Sequence, residues 1–235
     1  MSNQTTASSV AEPASPLAGG RDVHLRDLTI AYQRGSQTVV PIEAFNLYAP
    51  SSRITALVGR SGSGKTSILS CIAGMLRPTA GAIWLGGIDV TSLSGRTMDA
   101  YRRNHVGLVH QSYNLIASLR AIENVAVPLT LIGVPRRDAM VRATALLDEF
   151  GLADVAHRRP DELSGGQQQR VAVARALATS PSVVLADEPT AHLDGSSVAD
   201  VRAMFRAIAD SGRTVILATH DDRLLSLVDQ SVQLG

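Results

Sequence analysis

Lysine is almost absent from this chain. Of 22 basic side chains, all but Lys65 are arginine. A compact ammonium on a flexible stem can thread between anionic oxygens where a broad, planar guanidinium cannot, so this one position stands out. Cysteine is equally scarce. The lone Cys71 excludes an internal disulfide and suits a reducing compartment. It falls on a predicted helix, where a buried, small apolar residue is its expected role.

Long apolar runs are missing too. None approaches the ~20 residues of a membrane-spanning helix, so any action at a membrane has to come through a partner. The formal net charge is only +1, which gives no general pull toward anionic lipid and no expectation of a nucleic-acid partner. There is no internal repeat. Met1–Gly20 is rich in Ser, Thr, Ala, Pro and Gly, with Glu12 its one charge, and it lacks the basic start and apolar centre of a signal peptide. Residues 1–22 read as a disordered tail. The remainder, 23–235, is long enough for one large α/β domain with a helical insertion, and 45% hydrophobic residues can fill its core.

Val23–Tyr32 alternates like a strand, and Thr38–Leu47 reads as its antiparallel neighbour. Arg53–Val58 is a short β-rich run. Lys65–Met75 has helical spacing, with Ile68, Leu69, Ile72, Ala73 and Leu76 apolar. Gly81–Val90 reads as an edge strand with a Gly86-Gly87 turn, Thr97–Arg103 as a helix and Val106–Val109 as a buried strand. The character then changes. Arg120–Ile132 and Arg136–Phe150 read as helices parted by Gly133-Val134-Pro135, and Ser164 opens a helix to about Ala178. Val183–Ala186 and Thr214–Ala218 are strands around a helix at Ser197–Asp210, and Ser231–Leu234 is a last short strand. Alternating strands and helices predict a mostly parallel sheet covered on both faces, with residues 112–177 as an inserted helical subdomain.

Three motifs carry chemistry. Gly59-Arg60-Ser61-Gly62-Ser63-Gly64-Lys65-Thr66 reads G-x-x-x-x-G-K-T between a strand and a helix, the context of a phosphate-binding loop. Its backbone N–H groups and the helix N-terminus favour phosphate oxygens. Lys65 is expected to reach the β- and γ-phosphates and the Thr66 hydroxyl to ligate Mg²⁺. Val183–Ala186 then delivers Asp187 and Glu188. Taken alone, the two acids could be a helix cap and a first-turn acid. Beside a phosphate loop, Asp187 is expected to hold Mg²⁺ and Glu188 to take a proton from an attacking water. The third motif is Leu163-Ser164-Gly165-Gly166-Gln167-Gln168-Gln169-Arg170. Ser164 and Gln167 have capping-box spacing. The same exposed helix start is also a phosphate-binding surface, and a second cradle in one chain suggests that it serves the nucleotide of a second copy.

This order of motifs resembles the ATP-binding cassette family over about Val23–Leu234. The resemblance implies a P-loop NTPase (RecA-like) α/β core with an antiparallel β edge subdomain and an inserted α-helical subdomain. It implies ATP and Mg²⁺ as ligands, with a head-to-tail dimer in which each ATP lies between one copy's Gly59–Thr66 loop and the other's Ser164–Gln167 turn. Tyr32 then matches an aromatic that stacks on adenine, although a strand tyrosine in a core is the alternative. Gln111 matches a glutamine that senses Mg²⁺ and contacts the transport partner. Asp194, after Leu193, matches the loop that crosses between copies. His220 matches a histidine at the γ-phosphate.

Leu163 follows Lys65 by only 98 positions with no heptad run between, unlike relatives that carry a long coiled coil there. Tyr113–Ile116, Glu123-Asn124-Val125, Pro128-Leu129 and Leu185–Thr190 resemble the macrolide-exporter and lipoprotein-release branch. Its implied partner is a permease with a large extracytoplasmic domain, which would place this chain at the cytoplasmic face of the plasma membrane. A soluble assembly ATPase of the iron–sulfur type and a regulatory cell-wall or cell-division ATPase are the alternatives. Departures from the family pattern are His110, where relatives usually carry Phe, His192 before Leu193, and an end at Gly235 before a final strand and turn that relatives often have.

Overall fold

The computed structural model describes residues 20–35, 37–191 and 193–235. Most of the expected tail, residues 1–19, and His192 lie outside the described residues. Arg21 and Asp22, grouped with the tail on sequence, are bonded to the domain. The Thr214 hydroxyl donates to the Arg21 carbonyl, and the Ser51 N–H donates to the Asp22 carboxylate at 2.7 Å.

Two sheets form the frame. Strands β1 (Val23–Arg34), β2 (Gln37–Ala49), β4 (Ala80–Leu85) and β5 (Ile88–Asp89) make an antiparallel sheet in the order β2-β1-β4-β5. The second sheet holds β3 (Ile54–Gly59), β6 (Val106–Val109), β7 (Val183–Asp187), β8 (Thr214–Thr219) and β9 (Gln230–Leu234). Its order is β6-β7-β8-β3-β9 and every pairing is parallel. The expected α/β P-loop core and antiparallel edge are therefore both present.

The inner strands β3, β7 and β8 read as nearly unbroken apolar runs because both faces are covered, whereas the edge strand β9 alternates. Their alternation sorts side chains into two cores. Val184, Ala186, Val215 and Leu217 enter one, while Val183, Leu185, Ile216 and Ala218 enter the other. The second core also takes α1 (Lys65–Ile72), α2 (Gly95–His105) and the antiparallel sheet. Cys71 is buried there, and burial pushes its thiol up to about 12, so it stays protonated.

The first core packs against α3 (Ala121–Leu131), α4 (Arg136–Glu149), α5 (Gly165–Leu177) and α6 (Gly195–Asp210). Asn124 organises the entry to α3. Fully buried, its amide accepts from the Ile116 N–H at 2.7 Å and donates to the carbonyls of Ile116, Leu119 and Arg120 at 3.1, 3.1 and 3.2 Å. α5 runs from that helical region back to the parallel sheet, with Val171, Val173 and Ala174 fully buried.

Elements differ from the sequence reading mainly at their ends. β1 and β2 extend to a polar tip where Gln33 pairs with Thr38 and Arg34 with Gln37, because ladder bonds continue where apolar alternation stops. Gly81–Val90 resolves into β4, a two-residue turn and β5. A short α7 (Asp222–Leu225) and single 3₁₀ turns at Val90–Ser92, Ala153–Val155 and Pro160–Glu162 carry too few residues for periodicity to reveal.

Candidate functional site

Parallel register brings the chemistry to one end of the sheet. Val58 pairs with Thr219, Asp187 with Ala218, and Val109 with Ala186. The phosphate loop, Asp187-Glu188, His220 and Gln111 therefore leave neighbouring strands at their carboxyl ends, where open α/β sheets bind ligands.

The Gly59–Thr66 loop can turn so tightly because Gly62 and Gly64 have φ of +84° and +93°. Lys65 is 6% exposed. Its ammonium donates to the carbonyls of Gly59 at 2.7 Å and Arg60 at 3.1 Å, and lies 3.9 Å from Glu188 Oε1. These carbonyls satisfy a charge that is otherwise buried. The Ser63 hydroxyl in the same loop is buried without a partner.

Thr66 Oγ1 donates to Asp187 Oδ2 at 2.8 Å, while Asp187 Oδ1 is buried and has no partner. An orphaned buried carboxylate oxygen beside a hydroxyl oxygen is a donor set that suits a hard divalent cation such as Mg²⁺. Glu188 has φ +46°, an uncommon conformation for a side chain of its size, held by its N–H donating to the Ala218 carbonyl at 2.8 Å. His220 Nδ1 lies 2.7 Å from Glu188 Oε1, and the His220 N–H reaches Oε2 at 3.4 Å. Tyr32 is 39% exposed, so the core alternative is excluded. Its hydroxyl donates to Ser67 Oγ on α1 at 2.9 Å.

Gln111 is exposed just past β6. Its neighbour His110 is half-buried and feels both Arg175 and Asp187. Burial, and then the Arg175 guanidinium, hold that imidazole below its ordinary value against the opposing pull of Asp187. Arg175, on α5, donates to the carbonyls of Asn114 at 2.6 Å and Tyr113 at 2.7 Å. Those two residues have φ of +47° and +60°, so the guanidinium braces a strained turn.

Ser164–Gln167 and Asp194 form a separate group. Among the described residues no hydrogen bond or ion pair joins either to the phosphate loop. The Gln167 N–H donates to Ser164 Oγ at 3.3 Å and the Ser164 N–H to Gln167 Oε1 at 2.9 Å, the expected capping box. Asp194 caps α6 by accepting from the Ser197 N–H at 2.8 Å, and this bond holds its carboxyl below the usual range. The two helix starts touch. A Cβ on Gly166 would lie 2.3 Å from Ser197 Oγ, so any side chain there would have to displace Ser197.

The residues thus divide into Tyr32, the phosphate loop, Gln111, Asp187, Glu188 and His220 on one side, and Ser164–Gln167 with Asp194 on the other. The sequence reading missed Ser67, Arg175, Thr190 and Asp221. Each acts through a partner distant in sequence, and although Thr190 closes the Leu185–Thr190 stretch, nothing in that stretch points to Asp221.

Comparison with known proteins places the chain in a family. A family described as ABC transporter matches residues 42–191. An uncharacterized ABC transporter ATP-binding protein of Mycobacterium tuberculosis is 47% identical over 213 residues, covering 91% of this chain and 64% of that protein. The chain therefore spans less than two thirds of that relative's length. The lipoprotein-releasing system ATP-binding protein LolD of Chromohalobacter salexigens is 38% identical and covers 88% of each chain. The macrolide export ATP-binding/permease protein MacB of Rhodospirillum rubrum is 42% identical over 90% of this chain and 33% of its own. Among solved structures, the dimeric bacterial ABC transporter cassette MJ0796 superposes with a TM-score of 0.83 at 32% identity, covering 90% of this chain and 94% of the other. On these matches and on its fold, the chain belongs to the ABC transporter family as an ATP-binding cassette.

Proposed function

We propose that this chain binds and hydrolyses ATP as a head-to-tail pair and uses the cycle to drive a membrane permease. The observation that carries the reading is the division of the site. The phosphate loop, Asp187, Glu188 and His220 share one sheet end, while the Ser164 turn and Asp194 share another surface. A second copy, reversed against the first, would complete each half. The related cassette MJ0796 has been solved as a dimer, including a post-hydrolysis state bound to ADP and Pi. Nucleotide that touches both copies only when they are closed favours the closed pair.

In this reading Tyr32 stacks on the adenine and Lys65 exchanges the Gly59 and Arg60 carbonyls for phosphate oxygens. Thr66 and Asp187 hold Mg²⁺, with Gln111 as a further ligand, and the ion would neutralise charge on the transferring phosphate. Glu188 accepts a proton from the attacking water as the bond to the leaving ADP oxygen breaks, releasing ADP and phosphate. His220, already on Glu188 Oε1, orients that carboxylate and faces the γ-phosphate.

No helix among the described residues is long and apolar enough to cross a membrane. Ile116, Leu131, Ile132 and Val141 are exposed apolar residues of the helical segment. We assign the permease contact to this segment and to Gln111, and assign the chain to the cytoplasmic face of the plasma membrane as a peripheral subunit. The names of LolD and MacB favour an export or lipoprotein-release partner, and we take that permease to carry a large extracytoplasmic domain. A photo-crosslinker at Ser112 or Tyr113, introduced in cells, is expected to capture such a permease. Capture of a soluble protein alone would contradict the reading.

A further inference from the structure

The carboxylate of Asp221, one residue beyond His220, joins two segments. Thr190 Oγ1 donates to its Oδ2 at 2.6 Å. Arg223 donates to it through Nε at 2.9 Å and Nη2 at 2.8 Å, and through its backbone N–H at 3.0 Å. Arg223 Nη1 also reaches the Leu193 carbonyl at 3.4 Å. The Asp221 N–H is itself held by Thr219 Oγ1 at 3.0 Å.

Thr190 is fully buried, so its hydroxyl has no water to fall back on if Asp221 is lost. The bonds from Arg223 hold the Asp221 carboxyl down at about 2, so the clamp is charged throughout the physiological range. Thr190 and Leu193 lie near the two ends of the connection from Glu188 to Asp194. Two struts therefore tie the end of β8 to the chain leaving β7. One is His220 to Glu188, and the other is Asp221 with Arg223 to Thr190 and Leu193. Adjacent residues, His220 and Asp221, supply their anchor points.

We propose that Asp221, with Arg223, is a positioning residue that ties Thr190 and Leu193 to the His220 strand end, so that closure of a second copy against Asp194 is carried to His220 and Glu188. The inference rests on the reading that Asp194 faces a second copy. In that reading nucleotide is bound within one copy chiefly by Tyr32 and the Gly59–Thr66 loop, to which no clamp residue is hydrogen-bonded among the described residues. Loss of the clamp should therefore spare binding and lower the turnover that depends on pairing.

The test uses the full chain. ATP turnover is measured against ATP and protein concentration, and affinity for a fluorescent ATP analogue is measured at protein concentrations too low for pairing. Asp221→Asn keeps the shape and an acceptor for Thr190 but loses the charge that holds Arg223. Thr190→Val removes only the hydroxyl. Both are expected to lower kcat on the order of tenfold, to bring the Hill coefficient toward one and to leave analogue affinity within about twofold. Their double variant is expected to be little worse than either alone. Unchanged kcat, a parallel loss of affinity, or fully multiplicative losses would overturn the proposal. A wild-type rate linear in protein, with no cooperativity in ATP, would instead sink the paired reading and this inference with it.

Discussion

His220 Nδ1 and Glu188 Oε1 lie 2.7 Å apart, although 32 positions separate the two residues. The contact exists because β7 and β8 are parallel neighbours whose carboxyl ends align. It also fixes which way the Glu188 carboxylate points, at a residue whose φ of +46° already constrains it. A base held by a second side chain is expected to lose function when that side chain is cut back. His220→Ala should lower kcat on the order of tenfold to a hundredfold with a smaller change in KM, read from steady-state phosphate release. A rise in KM alone would mean that His220 serves binding.

The unpartnered Asp187 Oδ1 leads to a second expectation. Asp187→Asn keeps an acceptor for the Thr66 hydroxyl but removes the charge that a divalent cation needs. Turnover should fall and the Mg²⁺ concentration for half-maximal rate should rise on the order of tenfold or more, about 1.4 kcal/mol or more in binding. Chelation should abolish the wild-type rate and added Mg²⁺ should restore it. An unchanged Mg²⁺ titration in Asp187→Asn would remove this residue from the metal site.

Gly166 is packed against Ser197 as well as lying in the expected nucleotide turn. Gly166→Ala puts a methyl into a 2.3 Å gap and should destabilise the fold by about 1–3 kcal/mol. Ser197→Ala in the same chain removes the nearest atom and should recover part of the loss. Urea unfolding of the two variants decides it.

Asn124 holds the loop from Ile116 to Arg120 through four bonds of its amide. Asn124→Ala strands several of those backbone groups, and should cost about 2–4 kcal/mol on the basis of ~1–3 for each buried group left unpaired. Hydrogen exchange at residues 116–120 should speed up more than exchange in β7 or β8.

Burial holds the His105 imidazole below its ordinary value, with Nδ1 3.3 Å from Ser182 Oγ and the ring stacked on Tyr101. The folded chain therefore binds fewer protons there than the unfolded chain. Stability from this group is complete above the unfolded value near ~6.5 and declines as pH falls through it toward the lower folded value. His105→Phe keeps the stack and removes the titration. Its stability should depend less on pH just below 6.5 than that of the wild type, as measured by denaturant unfolding at several pH values.

How much of this was legible in the sequence depended on contiguity. The Gly59–Thr66 loop, the Asp187-Glu188 pair and the Ser164–Gln167 box are each written in adjacent residues, and each sits on the element its spacing implied. Thr190 and Asp221 are 31 positions apart and meet only through the pairing of β7 with β8. Arg175 braces Tyr113 from 62 positions away. The turn of Lys65 onto the Gly59 and Arg60 carbonyls had no sequence signal, since it reflects which acceptors lie within reach of a buried ammonium. Gly166 was readable as part of a phosphate cradle, but its contact with Ser197 was not.

The central claim is that two copies close on ATP and that Glu188 reopens them by supporting hydrolysis. It is tested most directly by measuring the mass of Glu188→Gln in solution by size exclusion with light scattering, with and without ATP, alongside its phosphate release. Removing the base should slow turnover by about 10²–10⁴-fold, and the variant should run as a dimer with ATP and a monomer without it. A variant that stays monomeric in saturating ATP, or that hydrolyses it at the wild-type rate, would contradict the claim.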